Sequence, residues 1–282
     1  MSEPVLSPPP PPGPPSPPGS PGSPGPPTPP IPPANGPGVR ISEWYSQAWQ
    51  VLQPVWVEVL LAGLVFQLVL LAATFACLVP AFVLAGPLIG GLHVYLAKRL
   101  VGLPAEVGDV FKGFRRFLDT FLLGAIILLP PLIVAVILIG VPIALTLGLG
   151  TIGGPLENLA PLAANLGGCV SMVAIPLFLF VYPVLVGTLL VFAMPLVLFK
   201  GMGAMAAIRR SVELVRADFG NFLLLLLANV VILLAAQSVG STLLCVGWLV
   251  LSPIATGFVY LVQLIAYRDH VGLTQADLAP YA

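Results

Sequence analysis

Charge is what this chain has least of. Lys, Arg, Asp and Glu together make up 8% of its 282 residues, while 58% are hydrophobic. A soluble domain carries about 25% charged residues, and so few cannot cover a water-facing surface. No secretory leader is expected either: residues 1–38 hold no Lys or Arg and no apolar run. The first apolar span is therefore expected to act as its own insertion signal. Cysteine is scarce, and Cys77, Cys169 and Cys245 show neither CxxC nor His-flanked spacing, which argues against a metal site. Small apolar packing is their plainer role, and a Cys77–Cys245 disulfide is the alternative. HExxH, GxSxG and paired Asp in adjacent spans are all absent, so an intramembrane hydrolase lacks its chemistry. We expect no enzyme, no cofactor and no nucleic-acid partner.

What charge there is falls in a pattern. The eleven basic residues occupy four short stretches, and the apolar runs between them come in pairs. Arg40 precedes the first pair. Lys98, Arg99, Lys112, Arg115 and Arg116 separate the first from the second. Lys200, Arg209, Arg210 and Arg216 separate the second from the third, and Arg268 follows the last. The turns inside each pair, near Pro80, Glu157 and Gly240, carry no Lys or Arg. Because basic residues stay on the cytoplasmic side, the expectation is an all-α protein with six transmembrane helices and both termini in the cytoplasm. The compartment expected is a prokaryotic cytoplasmic membrane.

Three regions follow. Residues 1–38 form a proline-rich arm, with 19 prolines and Glu3 as the only charge. Lacking backbone donors and apolar bulk, it is expected to be disordered and rich in polyproline II, reaching ~120 Å when fully extended. PxxP recurs, but without flanking Lys or Arg and without PPxY. The arm therefore reads as a solvated tether, with a cytoplasmic protein partner as the functional alternative. Residues 39–270 form the membrane domain and 271–282 a short cytoplasmic tail.

Within the membrane domain one design is expected three times: an amphipathic, interface-lying helix leading into a helical hairpin. The first lead helix aligns Ile41, Trp44, Tyr45, Ala48, Trp49 and Leu52 on one face, with Ser42 as its cap and the Trp rings at headgroup level. The second starts at Pro104 and aligns Val107, Val110, Phe111, Phe114, Phe117 and Leu118. The third, 203–218, sets Ile208, Val212 and Val215 opposite Arg209, Glu213 and Arg216, with Arg209 and Glu213 at pairing distance. The hairpin arms are expected at 54–79 and 82–99, 120–149 and 165–199, and 220–239 and 242–266. Pro130, Pro131 and Pro142 should kink one middle arm, and Pro176, Pro183 and Pro195 the other.

Two sets of candidate site residues emerge. Lys112, Arg115, Arg116, Arg209, Arg210 and Arg216 are placed to meet anionic headgroups of the lipid bilayer. Gln67, His93, Asn229 and Gln263 are polar groups inside spans, read as interhelical clasps or as the lining of a substrate path. Glu58 is shallow enough to reach the interface. Gly86 and Gly90 form GxxxG, which suits intramolecular packing first and dimerisation second. Gly148 to Gly153 matches GxGxxG, but it ends a span and precedes Pro155 instead of linking a strand to a helix. That match is a coincidence.

Several segments carry a resemblance. They are Gly86-Pro87-Leu88 with Gly91, Asp109-Val110-Phe111 with Gly113-Phe114, and Ala207-Ile208-Arg209-Arg210-Ser211 before Asn221-Phe222. Val246-Gly247, Pro253 and Ala266-Tyr267-Arg268-Asp269 complete the set. Over about residues 44–270 the chain resembles a family of multi-pass prokaryotic membrane proteins similar to the membrane domain of some glycerophosphodiester phosphodiesterases. The resemblance implies an all-helical membrane domain of uncharacterised role and supplies no catalytic residue. The function expected is a non-catalytic organising or lipid-interacting module with a cytoplasmic tether. The rival is a small-solute or lipid transporter built around the proline-broken middle hairpin.

Overall fold

The computed structural model describes residues 40–76, 78–152, 165, 172, 177–242 and 244–281. The proline-rich arm, Cys77, Glu157 and Cys169 lie outside the described residues, and with them the expectations of disorder and of disulfide pairing. Among the described residues every regular element is a helix. Helix α1 (Ile41–Leu52) runs through a 3-10 turn, Gln53–Val55, into α2 (Trp56–Ala76), and α3 (Leu78–Leu100) follows. A 3-10 helix, Val107–Arg116, leads into α4 (Phe117–Ile152). Next come α5 (Leu177–Leu189), α6 (Ala193–Phe199) and α7 (Ala204–Arg216). Helices α8 (Phe219–Thr242) and α9 (Leu244–Val271) precede a last 3-10 turn, Ala276–Tyr281.

Five of these stretches are long and apolar enough to cross a membrane, and a sixth is added if α5 and α6, bent by 42°, count as one span. They are not equivalent. About two-thirds (67%) of α3's apolar window and half (50%) of α9's are buried, against 22% for α2, 17% for α4 and 17% for α8. Helices α3 and α9 therefore form the centre. The outer helices present Leu61, Leu68, Ile133, Val136, Ile137, Val231 and Leu234 outward, a surface that suits hydrocarbon and not water.

Glycine sets how closely the centre packs. A Cβ on Gly91 would lie 1.6 Å from the Val110 carbonyl oxygen, and one on Gly113 would lie 2.0 Å from that of Pro87. The 3-10 helix thus lies directly against the backbone of α3. Gly86 meets the Thr120 carbonyl in the same way, so the GxxxG segment packs within the chain. On the other side of the centre Gly63 faces Pro253 and Gly257 faces Val59, joining α2 to α9.

This contact explains a departure from expectation. The second lead element is not an α-helix from Pro104 but a ten-residue 3-10 helix from Val107. Runs that long are uncommon. Three residues per turn place Val107, Val110, Gly113 and Arg116 in one row, whose middle two residues are buried. Glu106 and Asp109 close its start as a capping box. The first lead helix departs as well: Arg40 and not Ser42 takes the cap position, and no side chain caps it.

The expected effect of proline is seen in the second middle arm, at Pro195, while Pro176 lies outside the described residues. Helix α4 continues unbroken through Pro130, Pro131 and Pro142, and the break falls at 190–192, just before Pro195. Proline there has no N–H for the carbonyl four residues back. The polar groups freed at this break are met by Ser211 of α7. Its hydroxyl donates to the Leu189 carbonyl at 2.7 Å and accepts from the Phe192 N–H at 3.2 Å.

Candidate functional site

The charged stretches, remote in sequence, come together in one layer at one end of the helices. Its centre is Asp109, whose side chain is 4% exposed. The carboxylate accepts from Lys98 at 3.1 Å and Lys112 at 2.8 Å, and from the Glu106 backbone N–H at 3.0 Å. Lys112 also donates to the Tyr281 carbonyl. A buried carboxylate with two ammonium partners costs little only because each charge is met. Lys112, expected to face headgroups, is instead a packing residue of this layer.

Around that centre the remaining elements are tied pairwise. Trp44 is buried within the bundle, because α1 turns its apolar face onto α9. Its indole N–H donates to Asp269 at 2.8 Å, and its ring packs against Phe222 and His270. Arg268 reaches Gln47 at 2.8 Å. Asp119 accepts the Ala204 N–H at 2.9 Å, so a residue of α4 caps the start of α7. Arg116 donates to the Gly201 carbonyl at 3.2 Å. At the end of α3, Arg99 pairs with Glu58 of α2, donates to the Ala105 carbonyl, and lies over the Tyr95 ring at 5.7 Å.

The expected tail is part of this layer. Leu273, Leu278 and Tyr281 are buried. Gln275 donates to the Val101 carbonyl, and the Tyr281 hydroxyl donates to that of Leu198. Asp277 accepts from Lys200 at 3.0 Å and from the Thr274 N–H at 2.9 Å. Burial pushes the Asp277 carboxyl up, but the Thr274 N–H and the Lys200 ammonium outweigh it and hold it below its ordinary value.

Outside this network the remaining cations face outward. Arg115, Arg209 and Arg216 are exposed and form no hydrogen bond or ion pair among the described residues. Glu213 pairs with Arg210 at 3.1 Å, three residues away, and not with Arg209. Of six candidate headgroup contacts, Lys112 is therefore engaged inward, Arg116 is tied to Gly201 while 40% exposed, and four lie on the surface.

The four intramembrane polar residues do not converge. His93, 2% exposed, stacks on Tyr260 at 4.6 Å and meets the Ile89 carbonyl at 2.8 Å. Asn229 accepts from the Tyr45 hydroxyl at 2.5 Å, joining α8 to α1. Gln67 lines a largely apolar cavity of ≈ 280 Å³ between α2 and α9, with Trp248, Ser252 and Thr256. Gln263 of α9 is half-buried and does not line that cavity. Gly148 to Ile152 are helical, the end of α4, so the GxGxxG match has no strand before it.

Sequence reasoning missed the acidic half of the layer: Asp109, Asp119, Asp269 and Asp277. One signal was readable, since Asp109 follows Glu106 by three residues, the spacing of a capping box. The others pair across more than 70 residues, which periodicity does not report. No family model, curated protein or solved structure matches this chain.

Proposed function

We propose that the protein is a non-catalytic, membrane-embedded module that gathers anionic lipid around a fixed charged layer and holds a proline-rich tether in the cytoplasm. In this reading the chain crosses a prokaryotic cytoplasmic membrane six times as three hairpins, with the charged layer and both termini on the cytoplasmic side. The positive-inside distribution of all eleven basic residues supports that sidedness. Membership of the multi-pass family named above belongs to the same reading. The observation that carries it is the division of the layer's cations. One group is consumed in buried pairs, while Arg115, Arg209, Arg210 and Arg216 are left on the surface.

Each such residue near an anionic leaflet contributes ~1 kcal/mol, enough together to enrich acidic lipid without a shaped pocket. The test is reconstitution of the full chain in nanodiscs of mixed acidic and neutral lipid, followed by analysis of the lipid retained after detergent exchange. Acidic lipid should be enriched around wild type and fall to the bulk ratio in Arg115→Gln/Arg209→Gln/Arg216→Gln. Equal retention by both proteins would refute the lipid part. A pull-down with and without residues 1–38 tests the tether, whose partner should be lost with the arm.

A further inference from the structure

Among the described residues the charged layer contains a shaped recess that the outward arginines do not touch. It is a groove of ≈ 450 Å³ lined by Val51, Pro54, Val55, Arg99, Gly102, Leu103 and Pro104. It lies between the end of α1 and the loop after α3, at the level where α2 and α3 begin and end. Val51, Val55 and Leu103 make one side apolar, and Arg99 supplies the charge. Gly102, at φ +76°, has nothing within 4 Å of the place a Cβ would take, so the loop wall is open there. The volume lies within the range of small-ligand sites, roughly 300–1,000 Å³.

Arg99 lines the groove, and Glu58, which does not, stands beside it as Arg99's partner. Arg99 pairs with Glu58, whose side chain is 48% exposed. The guanidinium's two oxygen partners, Glu58 and the Ala105 carbonyl, are both met by Nη2. With Nη2 occupied and Nε enclosed, Nη1 is left to meet a phosphate oxygen, and a carboxylate has about four lone-pair sites. Each member of the pair therefore keeps capacity for a second partner of opposite charge. A purely anionic headgroup would leave Glu58 facing negative charge. A headgroup carrying both a phosphodiester and a primary ammonium satisfies both.

We propose that this groove binds the phosphoethanolamine headgroup of a glycerophospholipid, with the phosphate on Arg99, the ammonium on Glu58 and the first acyl carbons against Val51, Val55 and Leu103. The site rests on the reading that α2 and α3 cross the bilayer, and it is independent of the outward arginines. Its ligand is zwitterionic where theirs is acidic.

The test is native mass spectrometry of the full chain, released from detergent, titrated with dioctanoyl phosphatidylethanolamine, phosphatidylcholine and phosphatidylglycerol. One saturable phosphatidylethanolamine per chain is expected. It should be lost in Val51→Trp, which fills the groove, and weakened about tenfold in Glu58→Gln, the scale of one hydrogen bond to a charged group. It should be unchanged in Arg115→Gln/Arg209→Gln/Arg216→Gln, so failure of the acidic-lipid reading leaves this result standing. Phosphatidylcholine or phosphatidylglycerol binding as tightly, or phosphatidylethanolamine indifferent to Val51→Trp, overturns the proposal. Competition by water-soluble glycerophosphoethanolamine at equal concentration would also overturn it, because the apolar wall would then contribute nothing.

Discussion

Helices α3 and α4 are both long and apolar, yet 67% of one's apolar window is buried and 17% of the other's. Hydropathy orders them the other way, since the less buried α4 is the more hydrophobic. The difference lies in small residues and in what each helix carries at its end. Helix α3 offers Gly86 and Gly91 to neighbouring backbones and Gly90 to the side chains of Thr120, Met194 and Leu198, and closes with Lys98 and Arg99. At Gly140 of α4 an added Cβ would meet nothing within 4 Å. In hydrocarbon, apolar burial gives helices little reason to associate, and close approach and polar pairing decide which helix becomes the centre.

The largest effect should come from breaking that approach. Gly91→Ala places a methyl group inside the Val110 peptide, which cannot swing aside as a side chain can. The destabilisation should exceed ~3 kcal/mol, at or beyond the usual upper end for overpacking. Gly140→Ala, one helix away, should leave stability unchanged or slightly raised. Size-exclusion profiles after graded heating in detergent compare the two directly. Equal behaviour would mean that α3 is not packed as described.

Next in size is Asp109→Asn, which leaves Lys98 buried beside a neutral amide. A loss of about 3 kcal/mol is expected, because an uncompensated buried charge is costly. The control is Glu213→Gln on the exposed face of α7, where a surface pair is worth about 0–1 kcal/mol. Ser211→Ala should fall between them, at about 1–3 kcal/mol, since it orphans the Leu189 carbonyl and the Phe192 N–H. Denaturant titration followed by tryptophan fluorescence would rank all three.

The smallest effect concerns pH and is confined to the tail. Because the Asp277 carboxyl lies below its ordinary value, the anchorage it provides is complete above the usual carboxylate range. It is lost as pH falls through the lowered value, below about pH 4. Hydrogen exchange over 272–281, corrected for the intrinsic rate at each pH, should show protection at pH 7 that fades as pH falls below the usual carboxylate range. In Asp277→Asn the protection should already be weak at pH 7.

Much of this layout was legible beforehand, and for a physical reason. Runs of ~20 apolar residues and clusters of Lys and Arg are local, additive signals. They placed the ends of α2, α3, α8 and α9 within a few residues. What stayed hidden depended on contacts between distant segments. Trp44 reads as an interfacial residue until Asp269, 225 positions later, is seen to accept its N–H. Lys112 reads as a headgroup contact until the tail closes over it. The 3-10 form of residues 107–116 follows from the glycine face of α3, not from their own pattern. Proline was legible in part: the break came beside Pro195, one of the expected positions, where Ser211 receives the freed groups, while α4 stays helical through its more crowded prolines.

The central claim is that every stretch carrying Lys and Arg lies on one side of the membrane. Single cysteines at Gly108, Met205 and Gln275, all exposed positions of the layer, in a chain with Cys77, Cys169 and Cys245 replaced, would test it. With a membrane-impermeant maleimide, all three should stay unlabelled in intact cells and react after permeabilisation. Labelling of any one of them in intact cells, with another protected, would contradict the account.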